Sequence, residues 1–234
     1  LHHHYSGSIY AEPILNYAIT ENFYLNTETM VVARKKPTKG NWVLFSDLKN
    51  ENQLDYYKQQ IMQKWSVKDY NHVDYPSDKL FFETFQKFMP AGDEMFKSGL
   101  LELKNRAIKE NLSYIETQLS TIPAPINLED WTKFNVQLRE MAAKKDEKAI
   151  LALLDKLYIA LQEKNVSGYA KDFNTNFVAK LHADLNIDDE RFTMRYQNFV
   201  LRFMEPTELF KNLVVAFISA DTSSLMAGVN IVSP

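Results

Sequence analysis

The sequence predicts an α/β protein whose parallel strands are separated along the chain by a long helical stretch. Three observations predict it. Residues 191–202 are β-rich with partial alternation, 206–220 read as helix and 225–232 as strand again, and strand, helix, strand at this spacing is a unit of a parallel sheet. The opening Leu1-His2-His3-His4-Tyr5-Ser6-Gly7-Ser8 reads as a strand end running through a tight glycine turn into an amphipathic helix. Most of the intervening residues, about 23–187, carry apolar side chains at helical spacing.

Taken in order, residues 9–22 form a helix, with Ile14, Leu15, Ala18 and Ile19 on one face behind Ser8 and Glu12 in the first turn. Residues 23–41 are extended and polar. Met30-Val31-Val32-Ala33 is the candidate β element there, and Pro37 and Gly40 mark a turn. A helix over 52–65 carries Leu54, Tyr57, Ile61, Met62 and Trp65. Within 79–91, Phe81, Phe85 and Phe88 lie at i, i+4, i+7 and make one aromatic stripe, a pattern that most often faces a core. One long helix is expected over 93–120, a break at Ile122-Pro123-Ala124-Pro125, then helices over 128–143, 146–164 and 167–185. Glu102, Arg106, Lys144, Lys145 and Lys148 read as solvated faces, as do Asp188, Asp189 and Glu190 ahead of the strand. His72 and His182 read as structural.

Composition narrows the function classes. With 234 residues and 45% hydrophobic side chains the chain can bury a substantial core. A net charge of −3 with dispersed Lys and Arg offers no footprint for nucleic acid or an anionic membrane, and no apolar run has the length of a membrane span. Without cysteine there are neither disulfides nor thiolate ligands, so a metal would sit on histidine and carboxylate.

His2 and His4 are the candidate metal ligands. Two apart on a strand, they share one face about 7 Å apart, close enough to converge on one divalent ion, with zinc the natural occupant. Consecutive histidines at a terminus also suit a tag remnant, but a tag does not run from a glycine turn straight into an amphipathic helix.

At these residues the chain resembles the adenosine deaminase family of zinc amidohydrolases, particularly its adenosine-deaminase-like, growth-factor-related members. Those proteins open with a Leu-His-x-His-x-x-Gly-Ser motif, matched here by residues 1–8. A Phe-x-x-x-Phe-x-x-x-Met-Pro helix, matched by Phe81, Phe85, Met89 and Pro90, forms a hydrophobic lid there. The resemblance continues in Phe192-Thr193-Met194-Arg195-Tyr196, similar to a second barrel strand, and in the run from Gly228 to Pro234, similar to a third.

The resemblance implies a metal-dependent-hydrolase (β/α)8 TIM barrel, here truncated to about its first three strands, with a helical insertion over about 23–187 and a strand-helix-strand unit over 191–232. It implies a site at the C-terminal ends of the strands. His2 and His4 would bind zinc; Ser6, Gly7, Phe81, Phe82, Phe85 and Ser233 would meet a small purine nucleoside. The implied reaction is hydrolytic deamination, in which bound zinc brings the pKa of its water toward neutrality. Ser6 stands where better-known members have a sugar-contacting Asp, and Ser233 where they have a Gly, so substrate selection is expected to differ. The acid Glu and the further His and Asp ligands are expected beyond Pro234. The chain is accordingly expected to be a fragment, inactive by itself, partnered by the missing C-terminal half of the barrel, which a second chain could supply. The competing expectation is a non-catalytic helical interaction or growth-factor-like signalling module.

Overall fold

The computed structural model describes residues 3–232, which divide into two units: 4–106, and His3 together with 107–232. Each is described by itself.

In the first unit, a single turn α1 (Tyr5–Ser8) leads into α2 (Ala11–Thr20), which buries Ile14, Leu15 and Ala18 as the apolar spacing predicts. Asn22 adopts φ 52°, the left-handed conformation that ends helices, and the chain turns into strands. The polar stretch holds more structure than expected. Strands β1 (Tyr24–Asn26), β2 (Val32–Ala33) and β3 (Trp42–Leu44) form an antiparallel sheet in the order β2-β1-β3. Gly40, at φ +97°, makes the turn before β3. Helices α3 (Phe45–Asn50), α4 (Leu54–Trp65) and α5 (Ser77–Gly92) follow. Trp65 anchors this packing: it is buried, its indole N–H donates to the Met30 carbonyl at 2.8 Å, and its ring meets Phe88 edge-on at 6.1 Å.

The helix expected over 93–120 is corrected. It ends early as α6 (Phe96–Lys109); Asn111 takes φ 58°, and Tyr114–Ser120 form a strand, β4. The stretch over 23–187 is therefore not an uninterrupted helical insertion, and a strand stands between the histidine stretch and the one expected to follow it.

In the second unit, β4 begins a three-stranded parallel sheet in the order β4-β5-β6, with β5 at Thr193–Leu201 and β6 at Met226–Val232. Between β4 and β5 lie α7 (Trp131–Ala143), α8 (Glu147–Glu163), α9 (Val166–Asp172), a π-helical turn (Phe173–Ala179) and α10 (Lys180–Asp184). Helix α11 (Pro206–Asp221) joins β5 to β6, starting on a proline whose missing N–H costs nothing at that position. Along β5, Met194, Tyr196, Asn198 and Val200 are buried while their neighbours are partly open, the alternation of a strand with one helix-covered face. Asn198 marks that face: its amide donates to Ser219 Oγ of α11 at 2.9 Å, and Ser219 Oγ donates in turn to Asn174 Oδ1 at 2.6 Å. The observed class is a mixed helix and strand protein with a small parallel sheet.

Candidate functional site

Within the first unit the predicted residues meet at the turn after the histidines. His4 is extended, at φ −93° and ψ 129°, and is the N-cap of α1. The turn is fixed from both sides. Tyr5 is 1% exposed, stacks on Phe96 at 4.8 Å and presses its hydroxyl against Gly99, where a Cβ would fall 2.2 Å from it. Among the described residues that hydroxyl has no hydrogen-bond partner, and burial, with Asp93 and Glu102 adding to it, pushes its pKa well above the usual tyrosine range. On the other side Ser8 Oγ donates to the His4 carbonyl, and the Arg106 guanidinium donates to the Ser8 carbonyl.

Glu102 and Arg106, expected as solvated charges, are instead partly buried partners of this turn. Their ion pair spans 3.5 Å, and Arg106 lies 4.5 Å from the centre of the Tyr10 ring. Burial raises the Glu102 pKa against the lowering pull of the Tyr10 N–H and of Arg106. A charged i, i+4 pair on a helix ordinarily signals a wet face, which is why the pattern concealed the role.

The aromatic helix reaches the same place. A Cβ on Gly7 would lie 3.4 Å from Phe85 Cε1 and 3.8 Å from His4 Cβ, so the Phe85 ring rests against the glycine next to His4. From Phe85 the stripe runs inward to buried Phe88, 5.7 Å between ring centres, and outward to Phe81 at 5.0 Å. Phe81 and Phe82 are 58% and 57% exposed and meet edge-on at 5.2 Å. The core reading of the stripe thus holds at Phe88 and gives way to open aromatic surface at Phe81 and Phe82. Ser6 is half-buried in α1, and Gly7 is exposed.

In the second unit, His3 lies beside β4. Its carbonyl accepts from the Gln118 N–H at 2.8 Å, and its Nδ1 shares a 3.0 Å hydrogen bond with the fully buried Thr117 hydroxyl. Sequence alone assigns His3 no role, although alternation turns the middle histidine of three away from its neighbours. His2 and Ser233 lie outside the described residues.

His182 is structural, as expected. Its Nδ1 is 3.1 Å from the Tyr196 hydroxyl and its Nε2 3.4 Å from Asp188. The carboxylates before β5 are not simply solvated: Asp188 accepts from the Met194 N–H at 2.9 Å and pairs with Arg195 at 2.7 Å, while Asp189 accepts from the Arg191 and Phe192 N–H groups. Burial would raise the Asp188 pKa, but Met194, Arg195 and His182 together bring it below the usual carboxylate range. His72 is exposed in its loop.

A catalytic zinc requires three protein ligands and an open position. Among the described residues no three His, Asp or Glu side chains converge to hold a metal, and His4 is the one predicted ligand they include. The described residues therefore do not by themselves make a metal centre. Comparison of the chain with protein-family models, curated proteins and solved structures gives no match.

Proposed function

We propose that this chain is the amino-terminal part of a zinc-dependent amidohydrolase barrel that deaminates adenosine or a related purine nucleoside, contributing the first metal-binding motif and the lid. The observation that carries the reading is the placement of Phe85, nearly eighty residues away in sequence, against Gly7, in the turn that follows His4. An apolar lid over a histidine motif requires that juxtaposition, because closing aromatic surface over a polar site excludes water and strengthens the electrostatics within. In this reading His4 binds metal, with His2 as the second ligand of the motif. Ser6 offers a hydroxyl to the sugar, and Phe81 and Phe82 complete the lid.

The sequence contains five histidines, of which His3 is hydrogen-bonded to Thr117, His182 to Tyr196, and His72 is exposed in a loop. The remaining ligands and the proton-donating Glu would come from outside this sequence, so the chain alone is expected not to turn over.

The test measures zinc content and ammonia release from adenosine, deoxyadenosine and adenine, on the intact protein and on His4→Ala. Stoichiometric zinc and deamination, both lost in the variant, are expected. Zinc-free protein without deaminase activity would sink the proposal and leave the non-catalytic interaction module in its place.

A further inference from the structure

The first unit contains a cleft of about 870 Å³ between α4, α5, the 66–75 loop and residues 28–31. Its volume lies within the roughly 300–1,000 Å³ of small-ligand sites. The residues it takes from α5, Leu80, Glu83, Gln86 and Lys87, lie on the side of that helix away from Phe81, Phe85 and Phe88, so it is not the site proposed above.

The chemistry of the walls selects a ligand class. Val31 and Leu80 are the aliphatic residues of the lining, with Tyr70, Tyr75 and the stems of the polar side chains supplying the rest of its apolar part. Lys64, Lys68 and Lys87 are set against Glu28, Asp69, Asp74 and Glu83, a near balance that favours neither a polyanion nor a polycation. What the walls offer in quantity is paired donors and acceptors. Gln60, Gln63, Gln86 and Asn71 line it with amides, the Asn71 amide being occupied on both sides by Asp74 and the Val73 N–H. Gln63 and Asn71 are fixed by Asp69 at 3.0 Å and Asp74 at 2.7 Å, whereas Gln60 and Gln86 make no hydrogen bond to the described residues and face the cleft with both functions open. Two rings are fixed as well: the Tyr70 hydroxyl donates to the Tyr75 carbonyl at 2.9 Å, and the Tyr75 hydroxyl donates to Glu83.

We propose that this cleft binds a neutral polyhydroxylated ligand, an oligosaccharide. Each sugar hydroxyl both donates and accepts, matching amide, carboxylate and ammonium groups interleaved around the walls, while the C–H faces of the rings suit the tyrosines. The assignment is independent of the deaminase reading, since its readout is binding alone.

The test is titration of the intact protein with maltotriose, cellotriose and chitotriose, followed by saturation-transfer NMR and calorimetry, with inorganic pyrophosphate and spermidine as charged competitors. Saturable binding of at least one trisaccharide is expected, weakened about tenfold or more in a Gln60→Ala/Gln86→Ala variant and unaffected by either competitor. Both glutamines lack partners among the described residues, so the variant keeps its fold, as circular dichroism would verify. Absence of saturable binding by all three sugars, binding undiminished in the double variant, or displacement by pyrophosphate or spermidine each overturns the proposal.

Discussion

Replacing Gly99 with alanine tests whether the turn bearing His4 is fixed by Tyr5. In α6 the change should help by itself, since alanine is favoured over glycine in a helix interior by about 0.8–1.0 kcal/mol. Here the new Cβ would stand 2.2 Å from the Tyr5 hydroxyl oxygen and 2.8 and 2.9 Å from two ring carbons. Tyr5 is 1% exposed and stacked on Phe96, so it has no room to swing aside. Overpacking of this kind costs about 1–3 kcal/mol, and the closeness of the contact argues for the upper part of that range, leaving a net loss of about 1–2 kcal/mol. Urea unfolding followed by circular dichroism would show a lower midpoint at unchanged slope. The Tyr5→Phe change supplies the control. It removes a buried hydroxyl that has no partner among the described residues, a group whose burial costs about 1–3 kcal/mol, so it should be neutral or stabilising. In that background Gly99→Ala should cost less, though two ring-carbon contacts persist. A Gly99→Ala protein as stable as its parent, with effects that simply add to Tyr5→Phe, would refute the packing argument.

Two further outcomes follow from the second unit. Asn174→Ala removes a buried amide that donates to the Ser219 carbonyl at 2.9 Å and to Thr222 Oγ1 at 3.1 Å, and it leaves the Ser219 hydroxyl without its acceptor. A loss of about 1–3 kcal/mol is expected by denaturant titration, and an unchanged midpoint would mean the network is not what joins the π-helical turn to α11. Asp188→Asn tests linkage. The native carboxylate has a depressed pKa, so its contribution is present above the unfolded value of about 3.9 and lost as pH falls through the folded one. The stability advantage of the parent over the variant should therefore be present while the carboxylate is ionised and shrink below about pH 4; a gap that persists to about pH 2 would show that the hydrogen-bond geometry, not the charge, stabilises the loop.

The elements legible in the sequence were those whose periodicity is apolar. Helices α2, α4, α5, α7, α8 and α11 carry their buried residues at 3.6 spacing and fall within a few residues of expectation. Strand β4 escaped because burial there is not apolar: Thr117 and Gln118 are 0% and 2% exposed, held in a sheet that supplies hydrogen-bond partners no pattern of hydrophobicity records. A signal was nevertheless present. Asn22, Asn52, Asn111, Asn165 and Asn186 all adopt positive φ just past the end of a helix. Asparagine tolerates the left-handed region better than other non-glycine residues, so Asn111 marked the end of α6 and freed the Tyr-Ile-Glu-Thr segment beyond it to be a strand.

The same distinction governs the candidate site. The histidine turn is a local motif and could be read as one, whereas what holds it in place is long-range and polar. Arg106 reaches Ser8 across ninety-eight positions; in the second unit, likewise, His3 reaches Thr117 across one hundred and fourteen. Both use side-chain types that a linear reading assigns to solvent or to chance. Gly7 joins the two kinds of information: as a residue in sequence it signals a turn, but α1 leaves it with no positive φ that would demand glycine. What it does instead is pack: a Cβ built on Gly7 would meet the Phe85 ring at 3.4 Å, ordinary van der Waals contact, so the position could carry an alanine methyl against that ring, and the turn meets the aromatic helix through packing rather than through a backbone conformation that only glycine allows.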